Sequence, residues 1–286
     1  MGHHHAHHHI SSKNLGLTVF LNLFISVLQL AGGIISGSIS LLSDAAHNFS
    51  DVLSLLLSFF THKLSHKPAN EQFSFGYKRA EILSALFNSL TLILIAFWLI
   101  VEAVQRFNKP VIIEANIVIY FAVASIVINI LSVLLLHKDA QNNLNIKSSY
   151  LHLLTDVLTS VAVLSGGLVM KYTGFFAIDS VLSVFIAVYL IYSSYHIIKP
   201  AILILMQSTP SNIEVKALKN QITALNHVKD LKNIHLWQLN ENEIFLEAEI
   251  VLNADMSVSY FEKIQQQATS ILDAYNISHI YLVPKY

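Results

Sequence analysis

Six apolar runs, each about the 20 residues that a helix needs to cross a bilayer core, fill the first two thirds of the chain at 15–35, 39–60, 82–104, 115–136, 150–172 and 178–198. Beyond residue 207 the pattern shortens and becomes more polar. Pro210 opens a segment to Leu225 that reads as an amphipathic helix, and 231–238 and 244–252 read as strands joined across the polar cluster Asn240-Glu241-Asn242. A second helix is expected over 257–275, with Ser257 or Asp255 as its cap, and a last strand over 278–283. The order αββαβ suffices for a small α+β domain whose helices cover one face of a sheet. The expected architecture is therefore an α-helical membrane protein with a tail at 1–14, six transmembrane helices within 15–206 and a cytoplasmic domain at 207–286.

Composition agrees with the pattern: 54% of the 286 residues are hydrophobic and only 12% are charged, which places the chain among membrane proteins. A net charge of −1 provides no basic face for nucleic acid. Cysteine is absent, which excludes disulfides, thiolate zinc sites and iron–sulfur clusters. Lys63, Lys67, Lys78, Arg79, Lys138, Lys147 and Lys199 fall on one side of the expected crossings, with Arg106, Lys109 and Lys171 on the other. By the positive-inside rule the first group, and with it both termini, faces the cytoplasm. No cleavable signal peptide is evident, and the run His3 to His9, broken by Ala6, reads equally as a purification tag or a native metal-collecting tail.

Charge inside apolar runs is costly unless paired or metal-bound. His47 and Asp51 lie four apart in the second run, and His152 and Asp156 repeat that spacing in the fifth. Residues four apart share one helical face. Two such faces turned toward each other supply two imidazole nitrogens and two carboxylates, the ligand mix of a tetrahedral zinc site. A lone membrane His or Asp would be read as a packing hydrogen-bonder worth about 1 kcal/mol, but the same pair in two helices strains that reading.

Other polar residues have plainer roles. Asp44 reads as a cap or outer-mouth structural group, because carboxylates are favoured at helix N-termini. Glu81 pairs with Lys78, Arg79 or another loop charge, and Glu102 and Asp179 are similar cases near the opposite surface. Asn22, Asn88 and Asn129 read as interhelical hydrogen-bonders, with a role along an access path left open, and His62 and His66 as a solvated interfacial pair rather than a weak metal site. Trp237 reads as part of the small domain's core rather than a binding platform, and Gly32, Gly33 and Gly37 as packing positions. No Gly-rich phosphate loop argues for ATP, and the His-Glu-x-x-His protease motif is missing.

Several runs together resemble the cation diffusion facilitator family, and in particular its zinc-preferring bacterial branch. They are 38–47 (Ser-Ile-Ser-Leu-Leu-Ser-Asp-Ala-Ala-His), 73–81 (Phe-Ser-Phe-Gly-Tyr-Lys-Arg-Ala-Glu), Asn88, 102–107 (Glu-Ala-Val-Gln-Arg-Phe), 143–145 (Asn-Leu-Asn) and 205–210 (Leu-Met-Gln-Ser-Thr-Pro). The likeness covers nearly the whole chain. It implies a homodimer of six-helix subunits in the bacterial cytoplasmic membrane, joined through the transmembrane and C-terminal domains, that exchanges divalent metal for protons and carries a metallochaperone-like cytoplasmic domain. By motif position the transport ligands would be His47, Asp51, His152 and Asp156, with Zn2+ as the transported substrate and Cd2+ and Co2+ as further candidates. Two departures limit the transfer. The positions of a second loop site carry Asn70 and Tyr77, and the positions aligned with a cytoplasmic-domain site carry Lys232 and Glu249, so that His235 and His279 do not complete four ligands.

Three functional classes follow: a zinc/proton secondary transporter, an intramembrane metalloenzyme in which His2Asp2 activates water, and a metal sensor or scaffold without turnover. The enzyme would need an open coordination position and a general base, and no further acid is placed to serve.

Overall fold

Where the apolar runs lie, the computed structural model has six long helices: α1 (Ser12–Ser36), α2 (Ile39–Ser65), α3 (Ala80–Asn108), α4 (Ala115–Ala140), α5 (Leu144–Thr173) and α6 (Ala177–Leu205). It describes residues 12–109, 111–140 and 144–286, so the His-rich run lies outside the described residues. The helices outrun the apolar segments because polar residues continue them. At the end of α3, Glu102 and Arg106 pair four apart at 2.7 Å, and Arg106 also donates to the Gly37 carbonyl. Among the described residues, five helices are long and apolar enough to cross a membrane: α1, α3, α4, α5 and α6. The sixth, α2, has 27 residues but carries Asp44, His47, Asp51, His62 and Lys63, which dilute its apolar character.

The chain divides into two compact units, Met1–Leu57 with Phe87–His196, and Ser58–Leu86 with Ile197–Tyr286. The first is built inside out relative to a soluble protein. Phe20, Ile34, Phe87, Leu94, Tyr120, Leu134, Leu158 and Phe185 on its exterior are each more than 60% exposed, whereas Gln29, Asn48, Ser125, Asn129, Ser132 and Ser160 are buried. An apolar exterior of this extent is stable in hydrocarbon, and the helices satisfy their own backbone groups there. Close approach of α1 to its neighbours depends on small residues. A Cβ on Gly32 would lie 2.5 Å from the Phe121 ring, and one on Gly33 would lie 2.7 Å from the Leu42 side chain.

In the second unit, α7 (Val215–Thr223), β1 (Val228–Gln238), β2 (Ile244–Leu252), α8 (Val258–Asp273) and β3 (His279–Lys285) follow the expected order. The sheet runs β1-β2-β3, with β1/β2 antiparallel and β2/β3 parallel. Central β2 buries Leu246, Ala248, Ile250 and Leu252 at period two, and α8 meets them with Phe261, Ile264, Ala268 and Leu272 at helical spacing. Asn240 Oδ1 accepts from the Asn242 and Glu243 amides and so holds the β1–β2 turn. Helix α7 begins five residues after Pro210, whose carbonyl instead accepts a turn hydrogen bond from the Ile213 amide. Trp237 stacks on Phe245 at 5.4 Å between ring centroids, at the edge of the core rather than inside it.

The α2–α3 connection in this unit meets the sheet. Phe75 packs edge-on against Phe245, and Lys78 Nζ donates to Glu243 Oε2 at 2.6 Å. Partial burial would raise the Glu243 pKa, but Lys78 and His279 outweigh it and hold the carboxyl below its ordinary value. A depressed carboxylate contributes stability that is complete above its unfolded pKa and is lost as pH falls through its folded one. Glu243→Gln is therefore expected to lower the stability of this unit by about 1 kcal/mol at neutral pH, and the difference from the parent should vanish on acidification. Matched melting curves at neutral and acidic pH measure it, and identical neutral curves would mean that the contact adds nothing.

Candidate metal site

Helices α2 and α5 bring the two His-x-x-x-Asp pairs together, as the repeated spacing predicts. One ligand atom from each of His47, Asp51, His152 and Asp156 can be chosen so that all lie within 4.8 Å of one another, and this is the group of three or more such residues found among the described residues. His152 Nε2 lies 2.9 Å from Asp51 Oδ2, His47 Nε2 lies 3.3 Å from Asp156 Oδ1, and His47 Nε2 lies 3.7 Å from Asp51 Oδ2. Ligands at zinc–nitrogen or zinc–oxygen distances of about 2.0–2.1 Å in a tetrahedron stand about 3.3 Å apart. The three separations bracket that value. Both ring nitrogens of His47 and both carboxylate oxygens of Asp156 are buried without a hydrogen-bond partner, since the 3.3 Å approach is not aligned as one. Such groups are expensive in a protein interior unless something else satisfies them.

The site is lopsided. His47 and Asp156 are buried, whereas the side chains of Asp51 and His152 are 25% and 40% exposed. Asp51 follows His47 along α2 and His152 precedes Asp156 along α5, so the open side faces the end where α2 finishes and α5 starts. The other side is closed by Asp44. Its Oδ2 accepts from Gln29 Nε2 at 2.5 Å and Ser160 Oγ at 3.2 Å, and its Oδ1 accepts from Thr159 Oγ1 at 2.9 Å. Gln29 also donates to Ser125 Oγ at 2.9 Å and accepts from Asn48 Nδ2 at 2.8 Å. Asp44 is therefore no helix cap but the centre of a knot joining α1, α2, α4 and α5, and it stands outside the ligand group.

Other expectations change with tertiary contacts. Among the described residues Asp179 pairs with no surface cation: it is buried and accepts from Ser38 Oγ at 2.6 Å, Ser40 Oγ at 2.5 Å and the backbone amides of Ile39 at 2.7 Å and Ser40 at 3.3 Å. A residue on α6 thus caps α2, a contact that no local pattern announces. Glu81 pairs with His62 Nδ1 at 3.0 Å and accepts from Ser65 Oγ at 2.8 Å instead of meeting Lys78 or Arg79. His62 and His66 meet edge-on with ring centroids 4.3 Å apart and planes at 62°. Asn88 does join helices, donating to Ser50 Oγ at 3.1 Å and Ser54 Oγ at 2.5 Å on α2. Asn22 and Asn129 do not: each has a buried Oδ1 without a partner, and Asn129 reaches only Ser125 of its own helix, at 3.5 Å. Asn70 Oδ1 is used in a local turn, accepting from the Gln72 and Phe73 amides. Lys232 faces Glu249 across the β1–β2 ladder, Lys285 pairs with Glu249 at 2.5 Å, and His279 stacks on Phe245.

A helical bundle that is apolar outside, polar inside and gathers two imidazoles and two carboxylates within 4.8 Å defines a membrane protein with the ligand mix to hold a divalent cation. The cation efflux transmembrane domain family matches residues 15–206, and the cation efflux protein cytoplasmic domain family matches residues 210–282. The chain belongs to the cation efflux family, whose members are transporters and not enzymes. It is 32% identical over 98% of its length to the cadmium, cobalt and zinc/H(+)-K(+) antiporter of Bacillus velezensis, covering 90% of that protein. It is 31% identical over its whole length to the zinc transporter ZitB of Pectobacterium atrosepticum, covering 89% of it. With the metal cation efflux system protein CzcD of Cupriavidus metallidurans it shares 28% identity over 98% of the chain and 88% of that protein.

Proposed function

We propose that this protein is a secondary transporter that carries Zn2+, with Cd2+ and Co2+ as further candidates, out of the cytoplasm in exchange for protons. The supporting observation is the convergence of one ligand atom each from His47, Asp51, His152 and Asp156 to within 4.8 Å, with three of the separations at 2.9, 3.3 and 3.7 Å. Imidazole with carboxylate suits zinc better than an all-carboxylate shell does. In this reading α2 crosses the membrane as a sixth span, its polar residues turned to the bundle interior. The domain limits are a tail at 1–14, a transmembrane domain at 15–206 and a cytoplasmic domain at 207–286. Both termini face the cytoplasm of a bacterial inner membrane, and the protein works as a homodimer through its transmembrane and C-terminal domains.

Proton exchange follows from the ligands. Metal binds neutral imidazole and ionised carboxylate, so loading a partly protonated site releases protons. An empty, deprotonated site holds two bare carboxylates that repel each other and lack solvation, so the crossing forms are the metal-loaded and the protonated ones. Metal enters past Asp51 and His152 on the open side, and release on the other side requires the Asp44 knot to part. The test uses proteoliposomes with the membrane potential clamped. A pH gradient is expected to drive zinc uphill, and added zinc to move protons the opposite way. Zinc flux indifferent to the gradient would reduce the protein to a channel, and tight binding without flux would make it a sensor.

A further inference from the structure

The ligand group uses only part of the buried polarity of the bundle. Asn22 on α1 and Asn129 and Ser132 on α4 are buried, and the Oδ1 of each asparagine and the hydroxyl of Ser132 lack any hydrogen-bond partner. Two contacts fix the relative level of α1 and α4. Gly32 abuts Phe121 and Gln29 is bonded to Ser125, so the helices run antiparallel, and the same register sets Asn22 opposite Ser132. Seven residues along each helix, or about 10 Å, separate that level from the Gln29–Ser125 bond. Contacts between α4 and α5 give a second register. Gly167 abuts Ile119, Ser125 meets Ser160 at 2.8 Å and the His137 ring meets Tyr150, which puts Asn129 level with Asp156.

Three orphaned oxygens thus descend from the level of Asp156 toward the end where α1 starts and α4 finishes, along the α1/α4 side of the bundle. Thr18, also buried, continues the α1 face one turn further. Two are amide carbonyls that can only accept, and the third is a hydroxyl. Neutral oxygens of this kind need a small donor, and water supplies two donors in the space of one. Asp51 and His152, which flank the open way to the ligand group, lie on α2 and α5 instead.

We propose that Asn129, Ser132 and Asn22 line a narrow hydrated passage, a water-binding site on the α1/α4 side that reaches the level of Asp156 separately from the metal's way in. Under the exchange reading given above, on which this use of it rests, the passage carries returning protons while the opposite side passes metal. Hydration itself does not depend on that reading.

Because the chain has no cysteine, a single introduced thiol reports its own surroundings. Ser132→Cys changes one atom, and Leu134→Cys lies two residues away at similar depth on the lipid-facing side, where Leu134 is 63% exposed. Silver ion, small enough to follow water, is added to the full-length protein in liposomes, and the thiols left free are counted after denaturation. Ser132→Cys is expected to react at least about tenfold faster than Leu134→Cys, since thiols buried in apolar surroundings are inert. Saturating zinc should leave its rate unchanged, and adding Asn22→Leu should slow it to that of the control. Equal rates for the two thiols would overturn the passage, and protection by zinc would assign it to the metal's own route. Slow reaction in a protein that still exchanges zinc for protons removes the passage alone, whereas fast reaction in a protein that moves no zinc removes only the exchange reading.

Discussion

Asp156→Ala is expected to bring zinc flux in proteoliposomes down to that of protein-free vesicles while leaving the protein folded. Both parts follow from its surroundings. Neither carboxylate oxygen of Asp156 holds a hydrogen bond, so alanine breaks no link in the fold. The buried carboxylate instead faces His47 Nε2 at 3.3 Å, so what alanine removes is one of the four gathered ligand groups and one of the two negative charges that would offset a divalent cation. Asp51→Ala should abolish flux too, but it also removes the 2.9 Å contact to His152 and so reports ligand loss less cleanly. A zinc-sensitive dye inside the vesicles gives the rate, and a folded Asp156→Ala protein that fills vesicles as fast as the parent would remove the four-ligand site.

Asp179→Ala is expected to damage stability first and transport second. Its carboxylate accepts from the first two amides of α2 and from the Ser38 and Ser40 hydroxyls, while Ser38 Oγ itself caps the Leu41 amide at 3.1 Å. Helix starts depend on such acceptors because their first amides have no partner within the helix. Each buried donor left unsatisfied costs about 1–3 kcal/mol, and since the hydroxyls can turn to other acceptors the total should be about 2–4 kcal/mol. Thermal unfolding in detergent should show a clearly lower midpoint. Asn, which keeps one acceptor oxygen, should lose less than Ala. Unchanged melting of Asp179→Ala would mean that α2 starts without help from α6.

The sequence by itself determined the long helices, the αββαβ order and the two His-x-x-x-Asp pairs offered as candidate ligands, because each rests on a short-range rule. An apolar run of membrane length, strand alternation, and a His and an Asp one helical turn apart are all visible within a few residues. The stretch around Asn240 was legible for the same reason, since an Asx side chain answers amides two and three positions on. Only the tertiary structure decided what each remaining polar group faces. Asp179 and Ser38 are 141 positions apart, Asp44 and Ser160 are 116 apart, and Glu81 reaches back 19 to His62. For a polar group without a repeated partner, sequence spacing carries no trace of which helix lies opposite, so Asp44 read as a cap or outer-mouth structural group, Asp179 as a surface charge and Asn129 as an interhelical bonder with an access-path role left open. Burial makes an unpaired polar group costly, yet what relieves that cost is set by helix register across the bundle.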